Sequence, residues 1–425
     1  LPYLPGGRTH AVQEVIGFLT MVGLAFIMIH VGYEFDLDKG NLRALGWDYV
    51  VAMTAATFPW ILVTAYSLSM LMPAGAWTTY EGWTETLLAS RFAAPTSAGI
   101  LFAMLAAAGL SATWTFRKAR ILAIFDDLDT IILMVPLTML IVGLAWQMAA
   151  MVLAMLAILY AAWRWLNQWL LPFSWPWVLG YAAAIAGVSE LIYRGSLVID
   201  RNIPIHLEVL LPAFALGCIM KPLGDPHVDD IREGHQEGPA RPEEQRVSTL
   251  VSGAFMLLVG LSMPPLFGSS AGVHPGTSTM SLSATVPQPE GPILLLHVLA
   301  VTLLSNLGKM FPLLCYRWNA SVRERLALSI SMWPRGEVGA GILVISLGYG
   351  LGGPLITVAL LSLALNLLLT GAFILMVRGL LGQRIPVRTP DRELEYTGTP
   401  LTAHDTPYAG DAADTLRRFA QQAGR

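Results

Sequence analysis

The sequence predicts an all-α polytopic membrane protein, and three observations carry that expectation. Fifty-five per cent of the 425 residues are hydrophobic and 13% are charged, where soluble domains carry about 25% charge. The apolar residues gather into about eleven runs, each near the roughly 20 residues that cross a bilayer core. Two of those runs are broken by proline beside glycine or hydroxyl residues. A soluble enzyme this apolar could not cover its surface. The net charge of −3 argues against a nucleic-acid binder, which would carry a basic stripe. Cys218 and Cys315 both lie inside apolar runs and cannot build a disulfide scaffold or zinc cluster.

The runs are 11–33, 47–72, 83–109, 117–143, 145–165, 176–199, 204–222, 247–267, 291–316, 323–350 and 354–380. They read as helices, because unpaired backbone groups are too costly in lipid and barrel strands would alternate. Three stretches are not membrane. Segment 223–246 is polar and charged, a cytoplasmic loop. Segment 268–290 is rich in Ser, Gly, Thr and Pro, a flexible outer loop. From 382 onward the chain is a Pro-, Asp- and Arg-rich cytoplasmic tail, with room for a short helix at 411–425. The expected domains are therefore a membrane half 1–222, the loop 223–246, a second membrane half 247–381 and the tail 382–425. The chain opens on Leu1 rather than Met, which reads as trimming, and no intact signal peptide is visible.

Orientation follows from Lys and Arg. Lys39 and Arg43 follow the first run, and Arg117, Lys118 and Arg120 precede the fourth. Lys221, Arg232, Arg241 and Arg246 lie between the seventh and eighth. Arg317, Arg323 and Arg325 separate the ninth and tenth, and Arg378, Arg384 and Arg388 follow the last. Segments 73–82, 268–290 and 351–353 have no basic residue, and Arg201 is the one blemish. This alternation places residues 1–10 outside and the C-terminus in the cytoplasm.

Ionisable residues deep in a span are costly and are functional candidates by default. The fourth run contains Asp126-Asp127-Leu128-Asp129 and the ninth contains Lys309. Counted from Arg117, a helical rise puts the two adjacent aspartates roughly 14 Å deep, and Lys309 lies about 12 Å in from Arg317. Lys309 can therefore pair with one aspartate across two helices. A structural ion pair would explain one carboxylate, but one lysine cannot neutralise both. The second must hold a proton, a cation or water, and that leftover carboxylate is the chemical centre of the sequence.

The third run reads Ala93-Ala94-Pro95-Thr96-Ser97-Ala98-Gly99, and the tenth reads Met332-Trp333-Pro334-Arg335-Gly336-Glu337-Val338-Gly339. Proline removes a backbone donor and breaks the helix. Either break alone is an ordinary kink. Together they are more specific, because runs two to four match runs nine to eleven in inverted orientation, each trio with a broken middle helix. Inverted repeats with discontinuous helices meeting near the midplane mark secondary transporters. Arg335 and Glu337 could compensate the opposed half-helix ends or each other, and a structural role at the crossover is preferred over direct ion binding.

Asp126-Asp127, Lys309, the Pro334–Gly339 stretch and Gly32-Tyr33-Glu34-Phe35-Asp36 together resemble the monovalent cation:proton antiporters, in particular their bacterial cation:proton antiporter-2 branch. The likeness covers about residues 10–380. It implies an inverted-repeat transporter with two crossed discontinuous helices, a core domain and a dimerisation domain, elevator-like alternating access, a homodimer in a bacterial inner membrane, and no cofactor beyond the transported Na⁺ and H⁺. It implies that Asp127 binds the monovalent cation and that Asp126 is its partner, paired with Lys309. Pro95, Thr96, Ser97, Pro334, Arg335 and Glu337 would form the crossover. Lysine-containing members are usually electrogenic, exchanging two protons per sodium ion. Three features depart from the family. The first break reads Ala-Pro-Thr-Ser rather than Thr-Asp or Thr-Ser, Asp129 is an extra acid, and relatives have twelve or thirteen spans, which implies one leading helix missing before Leu1. No Gly-x-Gly-x-x-Gly nucleotide-binding domain follows the last run.

Rival readings fit less well. An intramembrane aspartyl protease needs its two acids on facing helices, whereas Asp126 and Asp127 are neighbours about 100° apart. The other deep acids, Glu190 and Glu337, each lie near an arginine, Arg194 and Arg335. A channel would show a carbonyl filter or charged rings. A K⁺/H⁺ exchanger and a non-transporting membrane sensor remain the alternatives.

Overall fold

The computed structural model describes residues 9–33, 42–97, 101, 105, 110, 113–142, 146–166, 168–199, 209–220, 242–262 and 281–382. The described residues form twelve α-helices joined by short 3₁₀ turns. Their one β-type pairing is the isolated bridge between Trp169 and Met220. Glu34, Phe35, Asp36, Ala98, Gly99, most of the 223–246 loop and the tail beyond 382 lie outside the described residues.

The first two runs become α1 (Thr9–Tyr33) and α2 (Leu42–Met70). The third begins at α3 (Tyr80–Ser90), capped by the Thr79 hydroxyl, which accepts from Gly82 N–H. It tightens into a 3₁₀ turn at Arg91–Ala93 and then leaves the helix. The fourth, fifth and sixth are α4 (Trp114–Val142), α5 (Trp146–Arg164) and α6 (Trp175–Ile199). The seventh contributes α7 (Leu210–Ile219), shorter than the expected 204–222 among the described residues.

The eighth helix, α8 (Pro242–Ser262), starts earlier than its apolar run. Proline at the first helical position loses nothing, and Glu243 and Glu244 favour the positive N-terminal end. Residues 242–246 are therefore helical, which shortens the expected polar loop. The ninth run splits into α9 (Gly291–Gly308) and a 3₁₀ turn at Phe311–Leu314, because Pro312 cannot donate to a continuing helix. The tenth divides into α10 (Val322–Ser331) and α11 (Glu337–Gly348), and the last is α12 (Gly353–Leu381). A capping box starts α10: Ser321 Oγ accepts from Glu324 N–H, and the Glu324 carboxylate accepts from Ser321 N–H.

Among the described residues, five stretches are long and apolar enough to cross a membrane by length and composition: 14–33, 45–70, 175–195, 291–314 and 353–381. α4 is as long as α2 but carries Asp126, Asp127 and Asp129 in its middle. Leucines such as Leu153, Leu191 and Leu368 point outward. An apolar outer face is what lipid, rather than water, solvates.

Segment 281–290 differs from the flexible loop expected of it. Ser283 is buried, and the Glu85 carboxylate accepts from Leu282 N–H at 2.7 Å and from Ser283 N–H at 2.8 Å. Two charge-assisted bonds to the backbone pin the turn onto α3.

The helices pack in two groups. α1 packs on α6, α7 and α8, with α5 on α7. α2, α3, α4, α9, α10, α11 and α12 pack on one another and contain both broken helices. The groups meet where α11 touches α1 and α8, and where α4 touches α5 and α7. α1 and α7 cross at backbone contact. A Cβ on Gly32 would stand 2.1 Å from the Phe214 carbonyl oxygen, and one on Gly217 would stand 2.2 Å from that of Ile29. Only glycine permits that approach.

Candidate functional site

The two breaks meet. Pro95 and Pro334 remove backbone donors and leave carbonyls that need other partners. Each broken stretch supplies donors to the other. Ser97 N–H donates to the Pro334 carbonyl at 2.9 Å, and the Thr96 hydroxyl lies 3.1 Å from that of Met332. Arg335 Nε donates to the Ala93 carbonyl at 3.0 Å, and Ser97 Oγ donates to Glu337 Oε2 at 2.8 Å. The crossover of 95–97 with 334–337 is thus closed by hydrogen bonds between extended backbones and short polar side chains.

Arg335 and Glu337 do not pair with each other. Arg335 is buried, and it donates to Asn306 Oδ1 at 2.7 Å and to the Ser305 carbonyl at 2.8 Å. Its backbone N–H donates to Asn366 Oδ1, and Asn366 Nδ2 donates to Asn306 Oδ1 at 2.9 Å. The guanidinium thereby ties the second break to α9 and to the broken end of α3. Glu337 opens α11, where a carboxylate complements the positive helix end.

Asp126 and Lys309 form an ion pair, both fully buried, and the Thr96 hydroxyl donates to Asp126 Oδ2 at 2.7 Å. Lys309 is not in mid-helix as its run suggested. It caps the C-terminal end of α9, where the last carbonyls favour a cation. Gly308 places it there: a Cβ on Gly308 would stand 2.4 Å from Pro59 Cα, so α9 ends directly against the proline of α2.

Asp127 is different. Both of its carboxylate oxygens are buried and have no hydrogen-bond partner among the described residues. Asp126 Oδ1 is unpartnered as well. No group of three or more His, Cys, Asp or Glu poised around a metal ion occurs among the described residues.

Asp129 does not join the Asp126–Asp127 cluster. Its carboxylate accepts from Arg91 NH2 at 2.8 Å, both side chains are buried, and the guanidinium lies over the Trp60 ring at 4.6 Å. Arg91, Asn306 and Asn366 were not singled out from the sequence. A signal existed for Arg91, a charge inside an apolar run. None existed for the asparagines, which are unremarkable until the fold aims them at Arg335. Asp48 was also missed; it accepts from Lys118 Nζ and Tyr316 Oη, each at 2.6 Å, joining the starts of α2 and α4 to the turn after α9. Glu190 and Arg194 pair along α6 at 2.6 Å. Cys218 and Cys315 are buried and in no disulfide.

The comparisons with known proteins bear on the fold and the family. No curated protein sequence matches the chain. Among solved structures it is similar to the sodium proton antiporter MjNhaP1 from Methanocaldococcus jannaschii, at 14% identity and a TM-score of 0.52. The match covers 90% of this chain and 89% of that one, and a likeness at that identity speaks for the fold. The profile of a family of transporters rather than enzymes, described as the transmembrane sodium/hydrogen exchangers, matches residues 5–377. With that match spanning both halves of the crossover, the chain belongs to the sodium/hydrogen exchanger family.

Proposed function

We propose that the protein exchanges protons for a monovalent cation across the membrane by alternating access, with Na⁺ as the preferred cargo and Li⁺ as a substitute. The observation that carries this reading is the Asp127 carboxylate, buried beside the crossover with neither oxygen partnered. An isolated ionised carboxylate is too costly to bury, so it must hold a proton or a cation. Those two occupants are the cargoes of an antiporter.

The charge around the crossover supports a single monovalent ion. Leaving aside the buried Asp48 and Glu85, which are bonded respectively to Lys118 and Tyr316 and to the backbone of Leu282 and Ser283, the buried carboxyl groups Asp126, Asp127, Asp129 and Glu337 stand with the buried cations Arg91, Lys309 and Arg335 among the described residues. Fully ionised, this set lacks one positive charge. Carboxylate and hydroxyl oxygens are hard ligands that suit Na⁺ and Li⁺.

In this reading Asp127 exchanges a proton for the cation. As the cation enters, it draws on Asp126, and Lys309 is released from its ion pair and gives up its proton. Two protons then leave for each cation, and the cycle moves net charge. The Arg335–Asn306–Asn366 network holds the crossover rigid while the bundle carrying it moves against α1 and α5–α8. The C-terminus faces the cytoplasm, and the protein works as a homodimer.

The test is cation-induced dequenching of a pH-sensitive dye in proteoliposomes, compared across Na⁺, K⁺ and Li⁺. Na⁺ and Li⁺ should dequench the wild type, and Asp127→Asn should abolish the response while folding normally. Exchange by a well-folded Asp127→Asn protein would overturn the site. A response to K⁺ alone would move the cargo to K⁺. The absence of any response would point to a membrane sensor.

A further inference from the structure

We propose that an apolar cavity between the two helix groups is a binding site for one acyl chain of an anionic membrane phospholipid. The cavity has a volume of about 290 Å³, near the lower end of the roughly 300–1,000 Å³ of small-molecule sites. Tyr49 and Leu45 on α2 and Phe125 and Leu128 on α4 form one wall. Leu159 and Trp163 on α5 and Phe214 on α7 form the other.

The lining decides what can enter. No lining residue carries a carboxylate, amide or basic side chain, and Tyr49, Trp163 and Cys218 are the lining residues with any polar side-chain atom. A cation would find nothing to replace its hydration shell, so this is not the cation's route. Water needs two to four polar partners, and apolar cavities stay dry and take hydrocarbon instead. On α4, Phe125 and Leu128 lie on the face away from Asp127, since residues three apart share a side and residues two apart do not. The cavity is therefore separate from the crossover site.

The mouth indicates the head group. Leu45 and Gly46 begin α2, Trp163 ends α5, and Cys218 ends α7. The ends of α5 and α7 are joined there, because Gln168 and Trp169 N–H both donate to the Ile219 carbonyl. Trp47 and Trp163 are about half exposed at this end, where indoles sit at the level of lipid head groups. Arg43, one turn before Trp47, and Arg164, next to Trp163, are both exposed, and exposed cations near the head-group level attract anionic lipid. One wall belongs to the bundle that carries Asp127 and the other to its partner bundle. A chain lodged between them would couple to their relative movement, a consequence that rests on the exchange reading, whereas the site itself does not.

The experiment is photo-crosslinking of the full chain in phosphatidylcholine vesicles doped with phosphatidylglycerol carrying a diazirine at the end of one acyl chain. Adducts should map to the peptides holding Phe125–Leu128 and Leu159–Trp163, as well as to outward residues such as Leu368. Ala162→Phe and Leu159→Trp each fill the cavity, and each should lose the cavity adducts while keeping those at Leu368. Labelling at Leu368 without cavity adducts in the wild type would overturn the site, as would undiminished cavity labelling in a filled, monodisperse variant. Equal cavity labelling by phosphatidylcholine with the same chain would overturn the anionic head group. None of these outcomes depends on exchange activity, so a failure here and a failure of the exchange reading are distinguishable.

Discussion

Arg91 holds Asp129 in a second buried ion pair, 2.8 Å long and one helical turn along α4 from Asp126. Asp126 is tied to α9 through Lys309, and Asp129 is tied to the broken end of α3 through Arg91. α4 is thereby held at two points along one side, and Asp127, about 100° round the helix from Asp126, is left without a partner. Breaking one member of a buried pair typically costs about 3–5 kcal/mol, because the other charge is left uncompensated. Arg91→Met and Asp129→Leu should each lower the unfolding temperature strongly, and the double variant should be less harmful than their sum. A double-mutant cycle by thermal unfolding in detergent checks this; strict additivity would mean no coupling.

Lys309 offers a separable electrical readout. Lys309→Gln should lower stability as Arg91→Met does, because it strands Asp126. If Lys309 also carries the second proton, the wild type yields cation-evoked currents on a solid-supported membrane and Lys309→Gln yields none. A wild type that exchanges without current, and ignores a potassium/valinomycin clamp, would leave Lys309 structural only.

Competition fixes the direction of the pH dependence. A proton and a cation that share Asp127 exclude each other, so lowering the pH must raise the apparent KM for the cation. Once the site is mostly protonated, KM should rise in proportion to proton concentration while the maximal rate changes less. Initial rates of dye dequenching over a matrix of pH and Na⁺ concentration test it. A KM independent of pH would separate the two binding sites.

The Glu85 carboxylate is the expected anchor of segment 281–290. Glu85→Ala strands two backbone N–H groups, at about 1–3 kcal/mol for each buried donor left unsatisfied. Amide hydrogen exchange at Leu282 and Ser283 should accelerate markedly, with little change in α12. Unchanged protection there would mean that Ser281 and Ser283, bonded to Gly350 and Gly352, hold the turn alone.

Membrane residence, helix order and both helix breaks were legible in the sequence because each depends on local composition. Roughly 20 apolar residues make a span whatever packs beside it, and Pro95 and Pro334 deny the helix a donor in any surroundings. That Lys309 would meet one of the two adjacent aspartates was legible too, because equal depth and opposite charge restrict the partners; the choice of Asp126 came from the family resemblance. Helix ends were less so: α8 begins at Pro242 under the influence of its acidic first turn, and α9 ends at Gly308 because Pro59 of another helix lies against it.

Partner choice among polar side chains belongs to the tertiary structure. Arg335 and Glu337 are two residues apart, yet one turns to Asn306 and the other to Ser97. Asp129, three residues from Asp126, turns to Arg91 instead of the cation cluster. A buried charge takes whichever donor or acceptor the packing brings within about 3 Å, and such donors come from helices distant in the chain. Composition could say that Asp127 would be costly to bury. Only the packed crossover, with every neighbouring cation already engaged elsewhere, left its carboxylate without a partner.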